Sequence, residues 1–251
     1  MQLITVPPFT IHHFPSLGST NDYLKQLADA PEFTCVIAEA QTAGRGRRER
    51  TWVSTPGEGL YLSVLLRPAV TTNLSLLSLL AAVAVAETLA QYNVAGVDIK
   101  WPNDVLLNEK KVCGILVESV SSGANAVRVI VGIGVNLNHQ TFPAEIRETA
   151  TSLALELGQA LAVEAFRDRL LARLAHWYAI WQSEAGWLIV EHWERLSSYA
   201  YGQNVIATLD EEQILGETAG LTKEGGLRLK LPSGSVRMIL VGDVQKLRKG
   251  P

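Results

Sequence analysis

Apolar and polar residues recur with different periods along the chain, and each period predicts a different element. Residues 33–38 and 60–66 are short apolar runs that read as strands. Between 163 and 182 the apolar positions Phe166, Leu170, Leu174, Trp177 and Trp181 advance by four, four, three and four, the stride of one helical face. A further helix is expected over 184–197. Ser19 and Asp22 stand at capping-box spacing ahead of Tyr23, Leu24 and Leu27, which predicts a helix start. Thr72 or Asn73 is placed to cap a long helix reaching about Tyr92. Its most apolar stretch, 74–86, is short of the roughly 20 residues a bilayer core requires, so it is expected in a protein core.

A strand over 97–101 ends at Pro102. Apolar runs at 105–107, 112–120 and 127–137 follow, separated by polar turns at 108–111 and 121–125. Strands joined by such short turns form an antiparallel meander rather than a βαβ repeat, which predicts an α+β fold: a mainly antiparallel sheet with helices packed on it. From about residue 199 short strands (205–209, 227–231, 236–241) alternate with turns at 210–212, 225–226, 232–235 and 242–243, the pattern of a small β-barrel. A boundary near 198 would divide the chain into domains 1–198 and 199–251.

Composition narrows the function. Lysine plus arginine number 22 and aspartate plus glutamate 25, so the net charge is 22 − 25 = −3, and 47% of the 251 residues are apolar. That excludes a disordered or collagen-like chain and argues against a general polyanion-binding surface. Cys35 and Cys113 lie inside apolar runs, as buried reduced thiols would. Neither they nor His12, His13, His139, His176 and His192 show metal-ligand spacing. The N-terminus lacks the basic head and apolar body of a signal peptide, which makes the cytoplasm the expected location.

Against this acidic background, residues 44–50 read Gly-Arg-Gly-Arg-Arg-Glu-Arg, and four arginines less one glutamate give a local charge of +3. Glycine beside guanidinium lets backbone approach a ligand while the planar forks grip phosphate or carboxylate. A solvated basic loop or a nucleic-acid contact would use the same residues, and the lysine and spacing of a P-loop are missing. Trp52 suits stacking on a base or plain packing. On the strand at 97–101, Val97, Ile99 and Trp101 face one way, leaving Lys100 on the other face as a site charge or an exposed lysine. Gly114, Gly132 and Gly134 weaken their strands unless something approaches the backbone, and three on adjacent strands favour a ligand wall.

Taken in order, five segments resemble the biotin protein ligases, in the form without an N-terminal DNA-binding domain. They are Ser-Thr-Asn at 19–21, Gln-Thr-Ala-Gly-Arg-Gly-Arg-Arg-Glu-Arg at 41–50, Lys-Trp-Pro-Asn-Asp at 100–104, Lys-Val-Cys-Gly-Ile-Leu-Val-Glu at 111–118 and Gly-Ile-Gly-Val-Asn-Leu-Asn at 132–138. The resemblance implies a catalytic domain like that of class II aminoacyl-tRNA synthetases, followed by an SH3-like barrel. It implies an ATP-dependent, AMP-forming ligase that makes biotinyl-5′-AMP and passes biotin to a lysine of a biotin carboxyl carrier domain of acetyl-CoA carboxylase or a related carboxylase. Mg²⁺ would accompany ATP, a homodimer is one assembly it allows, and neither membrane nor nucleic acid is an expected partner.

Carried over residue by residue, Ser19, Thr20, Asn21 and Gln41 would hydrogen-bond the ureido head of biotin. Arg45, Gly46 and Arg47 would close over biotin and the phosphates, and Lys100 would hold the carboxylate or the bridging phosphate oxygen. Gly114 would let the ring lie against backbone. Arg45, Arg47, Arg50, Trp52, Asn103 and Asn136 would form the ATP side, with Lys100 and Arg47 as the catalytic cations. The resemblance assigns no metal ligands and no general base. Glu49 departs from the family pattern, which usually has glycine there. Three other functions remain open at this point: a lipoate ligase, which needs no polar head clamp; a non-catalytic biotin-binding module; and a nucleic-acid-binding regulator using the arginine loop.

Overall fold

The computed structural model describes residues 1–69, 71–122, 126–183, 185–209, 212–240 and 242–246. An eight-stranded sheet is built from β1 (Gln2–Val6), β2 (Phe9–Leu17), β3 (Thr34–Gln41), β4 (Gly59–Leu66), β5 (Val97–Lys100), β6 (Asp104–Leu107), β7 (Lys110–Ser122) and β8 (Ala126–Asn136). Its order is β1-β2-β3-β4-β8-β7-β6-β5, antiparallel throughout except for the parallel pair β2 and β3. The meander expected from the sequence is the β5-β6-β7-β8 half. Its β6–β7 hairpin turns on Asn108 and Glu109, both at positive φ (48° and 65°), as a two-residue hairpin loop requires.

Alternation along the central strands assigns the two faces of this sheet. Leu60, Leu62, Val64 and Leu66 of β4, with Val129, Val131, Ile133 and Val135 of β8, join the main core. Helices α2 (Leu76–Ala90), α4 (Val163–Gln182) and α5 (Trp187–Leu196) complete that core. The opposite registers of the same strands carry Leu65 and Ile130, which pack under Leu24 of α1 (Thr20–Gln26) in a second, smaller cluster. A short α3 (Leu153–Leu157) follows β8, capped by Ser152, whose side chain accepts from Leu155 N.

The remaining strands, β9 (Tyr201–Leu209), β10 (Glu212–Leu221), β11 (Leu227–Lys230), β12 (Val236–Ile239) and β13 (Asp243–Lys246), form an antiparallel sheet of order β12-β11-β10-β9-β13. Ser75 Oγ donates to Glu224 O at 2.6 Å and Trp101 Nε1 to Gly225 O at 3.0 Å, fastening this sheet to the larger one.

Several boundaries differ from the sequence expectation. The long helix starts at Leu76 rather than after Thr72 or Asn73: Asn73 takes φ 60°, no side chain caps the helix, and the hydroxyl of Ser75 is engaged by Glu224 instead. Strand β10, the hairpin of β1 and β2, and β13 were not anticipated; Gly242 and Asp243, read as a turn, lead straight into β13. The expected turns at 121–125 and 210–212, the helix start at 184 and the strand end at 241 fall partly outside the described residues. No helix among the described residues is long and apolar enough to cross a membrane.

Candidate active site

Where β4, β8 and β7 turn their second register away from the core, small residues stand in rows. Ser63 of β4 pairs with Gly132 of β8 and Tyr61 with Gly134, and Gly134 in turn pairs with Gly114 of β7. Missing side chains leave a trench, and a cavity of about 820 Å³ opens over it, within the range of small-molecule sites. Ser19, Thr20, Asn21, Gln41, Arg45, Gly46, Arg47, Arg50, Trp52, Lys100, Asn103, Gly114 and Asn136 all line this one space.

One end is a dense polar clamp. Ser19 caps α1 by accepting from Asp22 N, which turns Thr20 and Asn21 onto the sheet. Gln41 Oε1 accepts from Thr20 N at 2.8 Å and from Thr20 Oγ1 at 3.1 Å, and Gln41 Nε2 donates to Ser54 Oγ at 3.2 Å. Ser63 Oγ is bonded to Thr20 Oγ1 at 2.7 Å and to Asn21 Oδ1 at 2.5 Å. Ser63 is fully buried and was missed from the sequence; its one signal was a hydroxyl inside an apolar strand, which must find a partner.

Along the trench the indole of Trp52 lies on the glycine strip. A Cβ at Gly114 would come within 2.8 Å of Trp52 Cζ3, and one at Gly134 within 2.5 Å of Cε2. Gly114 and Gly134 therefore leave the space that the Trp52 indole occupies in this structure. Lys111 Nζ stands 5.4 Å from the Trp52 ring centroid and 2.6 Å from Asp104 Oδ1, adding a cation to the cavity that the sequence reading left out. Lys100 reaches the same space and has no hydrogen bond or ion pair among the described residues.

The arginine loop covers the cavity and is held by acids from three directions. Arg45 pairs with Asp22 of α1 and lies 3.6 Å from Glu49. Arg47 Nη1 donates to Gly242 O at 3.0 Å and to Asp243 Oδ1 at 3.3 Å, and Arg50 Nη2 to Asp243 Oδ2 at 2.9 Å. Burial pulls the Arg47 guanidinium below its ordinary value, and the Asp243 charge opposes that shift. Arg48 and Glu49 sit at φ 54° and 56°, so the position where the resemblance leads one to expect glycine does adopt a left-handed backbone. Arg45 Nε and Trp52 Nε1 are buried donors with no partner among the described residues, as groups facing an incoming ligand would be.

Beyond Asn136, whose Nδ2 donates to Thr151 O at 3.1 Å, lie Tyr61 and His139. Their side chains meet at 3.3 Å, and Tyr61 Oη also accepts from Thr55 N at 3.0 Å. His139 is 2% exposed, and burial lowers its pKa despite the nearby Glu58. Neither residue had a recognisable sequence signal.

Residues 13–136 match the biotin/lipoate A/B protein ligase family, and residues 201–247 match the biotin protein ligase C-terminal domain. The bifunctional ligase/repressor BirA of Bacillus subtilis is 36% identical over 236 residues, covering 91% of this chain and 71% of that protein. A biotin acetyl-CoA-carboxylase ligase of Paracoccus denitrificans is 37% identical over 204 residues, 79% of this chain and 85% of its own length. The structure of the Aquifex aeolicus biotin protein ligase in complex with biotin and ATP superimposes with a TM-score of 0.84 at 32% identity, covering 95% of this chain and 99% of that one.

Proposed function

The chain belongs to the biotin protein ligase family and is an ATP-dependent biotin ligase, and from that premise we propose how its cavity divides the work. Ser19, Thr20, Asn21 and Gln41 take the ureido head of biotin, whose N–H and C=O groups need both acceptors and donors. The valeryl chain runs beside Trp52 and Gly114 toward Lys100 and Lys111. Arg45, Arg47 and Arg50 receive the triphosphate, and Trp52, Asn103 and Asn136 line the nucleotide side.

The observation that carries this assignment is that a neutral hydrogen-bonding clamp and a cluster of cations share one cavity. Joining a carboxylate to a triphosphate sets like charges against each other, so cations must already stand where charge gathers. A biotin carboxylate oxygen attacks the α-phosphorus, the bond to the bridging oxygen breaks and pyrophosphate leaves. A carrier lysine then attacks the acyl carbon, AMP departs and the amine loses a proton. Lys100, without a hydrogen bond or ion pair among the described residues, is placed to meet the carboxylate, whereas Lys111 is oriented by Asp104.

Mg²⁺ fits as an ion brought in on the phosphates. No group of three candidate protein ligands gathers among the described residues, but Asp104 and Glu109 line the cavity, and Mg²⁺ commonly takes one or two carboxylates with phosphate oxygens and water. It would supply charge neutralisation at the triphosphate. The carrier is a biotin carboxyl carrier domain of a carboxylase, and the cytoplasm, which holds both ATP and such carriers, is the compartment this chemistry suits.

Mass analysis of a carrier domain incubated with the protein, biotin and MgATP tests the proposal, with one biotinyl group expected on a single lysine. Pyrophosphate exchange driven by lipoate and not by biotin would move the chain to the lipoate branch. Tight biotin binding without adenylate formation would make it a binding module.

A further inference from the structure

Glu118 closes the segment at 111–118, and the division of labour above gives it no task. It lies on β7 beneath α1. Its Oε2 accepts from Asn21 Nδ2 at 2.7 Å and its Oε1 from Lys25 Nζ at 2.7 Å. Lys25 also donates to Asp22 Oδ1 at 3.1 Å, the oxygen that receives Arg45. One carboxylate therefore touches the head clamp directly and the arginine loop through two intermediaries.

A carboxamide turned end for end keeps its shape and exchanges donor for acceptor, so its neighbours decide which way it points. At Asn21 they are unanimous. Glu118 and the Leu116 carbonyl, the latter at 3.4 Å, both require the nitrogen, while the Ser63 hydroxyl donates to the oxygen at 2.5 Å. A reversed amide would set its oxygen against a carboxylate and a carbonyl. In the observed orientation the oxygen lies closest to Gly132, on the trench floor, with a second lone pair beyond the one that Ser63 fills.

We propose that Glu118 is a positioning residue for biotin: by claiming the nitrogen of Asn21, it makes this part of the clamp an acceptor, matched to a ureido N–H. The inference rests on the biotin assignment and adds to it the group that sets the polarity of the clamp. Desolvated hydrogen bonds of the wrong polarity discriminate strongly, because the mismatched group is left buried and unpaired.

The test is a donor–acceptor swap. In Glu118→Gln the amide oxygen is drawn to the Lys25 ammonium, which turns the new N–H₂ toward Asn21 and opposes two donors. The dissociation constant for biotin, by calorimetry, should rise about tenfold or more. The KM for ATP and the kcat at saturating biotin should stay within about twofold. Asn21→Asp alone opposes two carboxylates and should be equally impaired. The double variant Asn21→Asp with Glu118→Gln restores a donor facing an acceptor between positions 21 and 118, though the Leu116 carbonyl still meets an oxygen, and should bind biotin at least about threefold more tightly than either single variant.

An unchanged biotin constant in Glu118→Gln, an equal loss for biotin and ATP, or a double variant no better than the singles overturns the inference. A single variant that fails to fold leaves the double variant to decide on the same criterion. Wild-type protein that does not bind biotin refutes the biotin assignment itself, whereas wild-type binding unaffected by the Glu118 substitution refutes this inference alone.

Discussion

Adding one methyl group to the trench floor tests whether Asn21 is held against β8. In Gly132→Ala the new Cβ would overlap Asn21 Oδ1 and stand 3.0 Å from its Cγ and 3.1 Å from its Nδ2. The backbone of Asn21 has little room to retreat, because Ser19 caps the helix and Tyr23 N donates to Ser19 O at 3.0 Å. The side chain must rotate, and rotation breaks its bonds to Ser63 and Glu118. A buried neutral hydrogen bond contributes about 1 kcal/mol and one to a charged group about 1.5–3 kcal/mol, so the loss is about 2.5–4 kcal/mol. For a chain of this size that lowers the thermal midpoint by roughly 5–15 °C. Biotin affinity should fall about tenfold, the equivalent of one lost hydrogen bond. Calorimetric titration with biotin and a thermal scan of the unliganded protein measure both. A variant with wild-type affinity and a midpoint within about 1 °C would show that Asn21 is not braced on Gly132, and the clamp geometry would be wrong.

Lys100→Ala should lower the rate of adenylate formation by about 10²–10³-fold with little change in thermal midpoint, since the side chain has no partner to lose among the described residues; near-normal turnover would remove it from the site. Glu49→Gly relieves a left-handed backbone that costs a side chain about 1–2 kcal/mol, against roughly 0.5–1 kcal/mol of added chain entropy, so the unliganded protein should be unchanged to slightly more stable, and a clear fall in midpoint would contradict the loop geometry. His139 is depressed in the fold by burial, so the unfolded chain binds its proton first as pH falls below about 6.5; stability should decline from there downward, and His139→Asn should flatten that slope in midpoints measured from pH 7 to 5. Asp243→Asn removes a carboxylate that both occupies the arginine forks and faces the triphosphate, and the KM for ATP at low salt should fall about fivefold, equivalent to about 1 kcal/mol of repulsion; a rise would mean that Asp243 orients the arginines instead of competing for them.

What could be read from the sequence was whatever has a short-range cause. The stride of Phe166, Leu170, Leu174, Trp177 and Trp181 gave α4 its bounds, and close polar turns gave the meander. Gly132 and Gly134 announced a close approach, although what approaches is Asn21 and Trp52. The parallel pairing of β2 with β3 was invisible because β2 itself was not anticipated, and even a recognised strand does not state whom it joins. The same holds for Asp243, which reaches the loop only because β13 pairs with β9, and for Tyr61, whose place follows from facing Gly134 across two strands. Lys111 and Glu118 lay inside a segment already singled out. Their importance depends on Trp52, Asp104, Asn21 and Lys25, four residues that only the fold assembles around them.

The local charge of the loop shows how far the fold changes a sequence argument. Counted along the chain, residues 44–50 carry +3. Counted in space, Asp22 and Asp243 join Glu49 against the same four arginines, and 4 − 3 leaves +1. A cluster of four unpaired guanidinium groups would repel itself and bind any polyanion, whereas a nearly neutral one keeps its shape and admits a ligand only by exchange. The exchange favours a triphosphate, because several phosphate oxygens at once can replace monodentate carboxylate contacts that are partly exposed. Arg47 and Arg50 are held by the second sheet and Arg45 by the helix that carries the head clamp. On the assignment proposed above, nucleotide entry at this loop would act on both anchors together, and the second sheet would then bear on ATP binding through its contacts from Gly242 and Asp243 to Arg47 and Arg50.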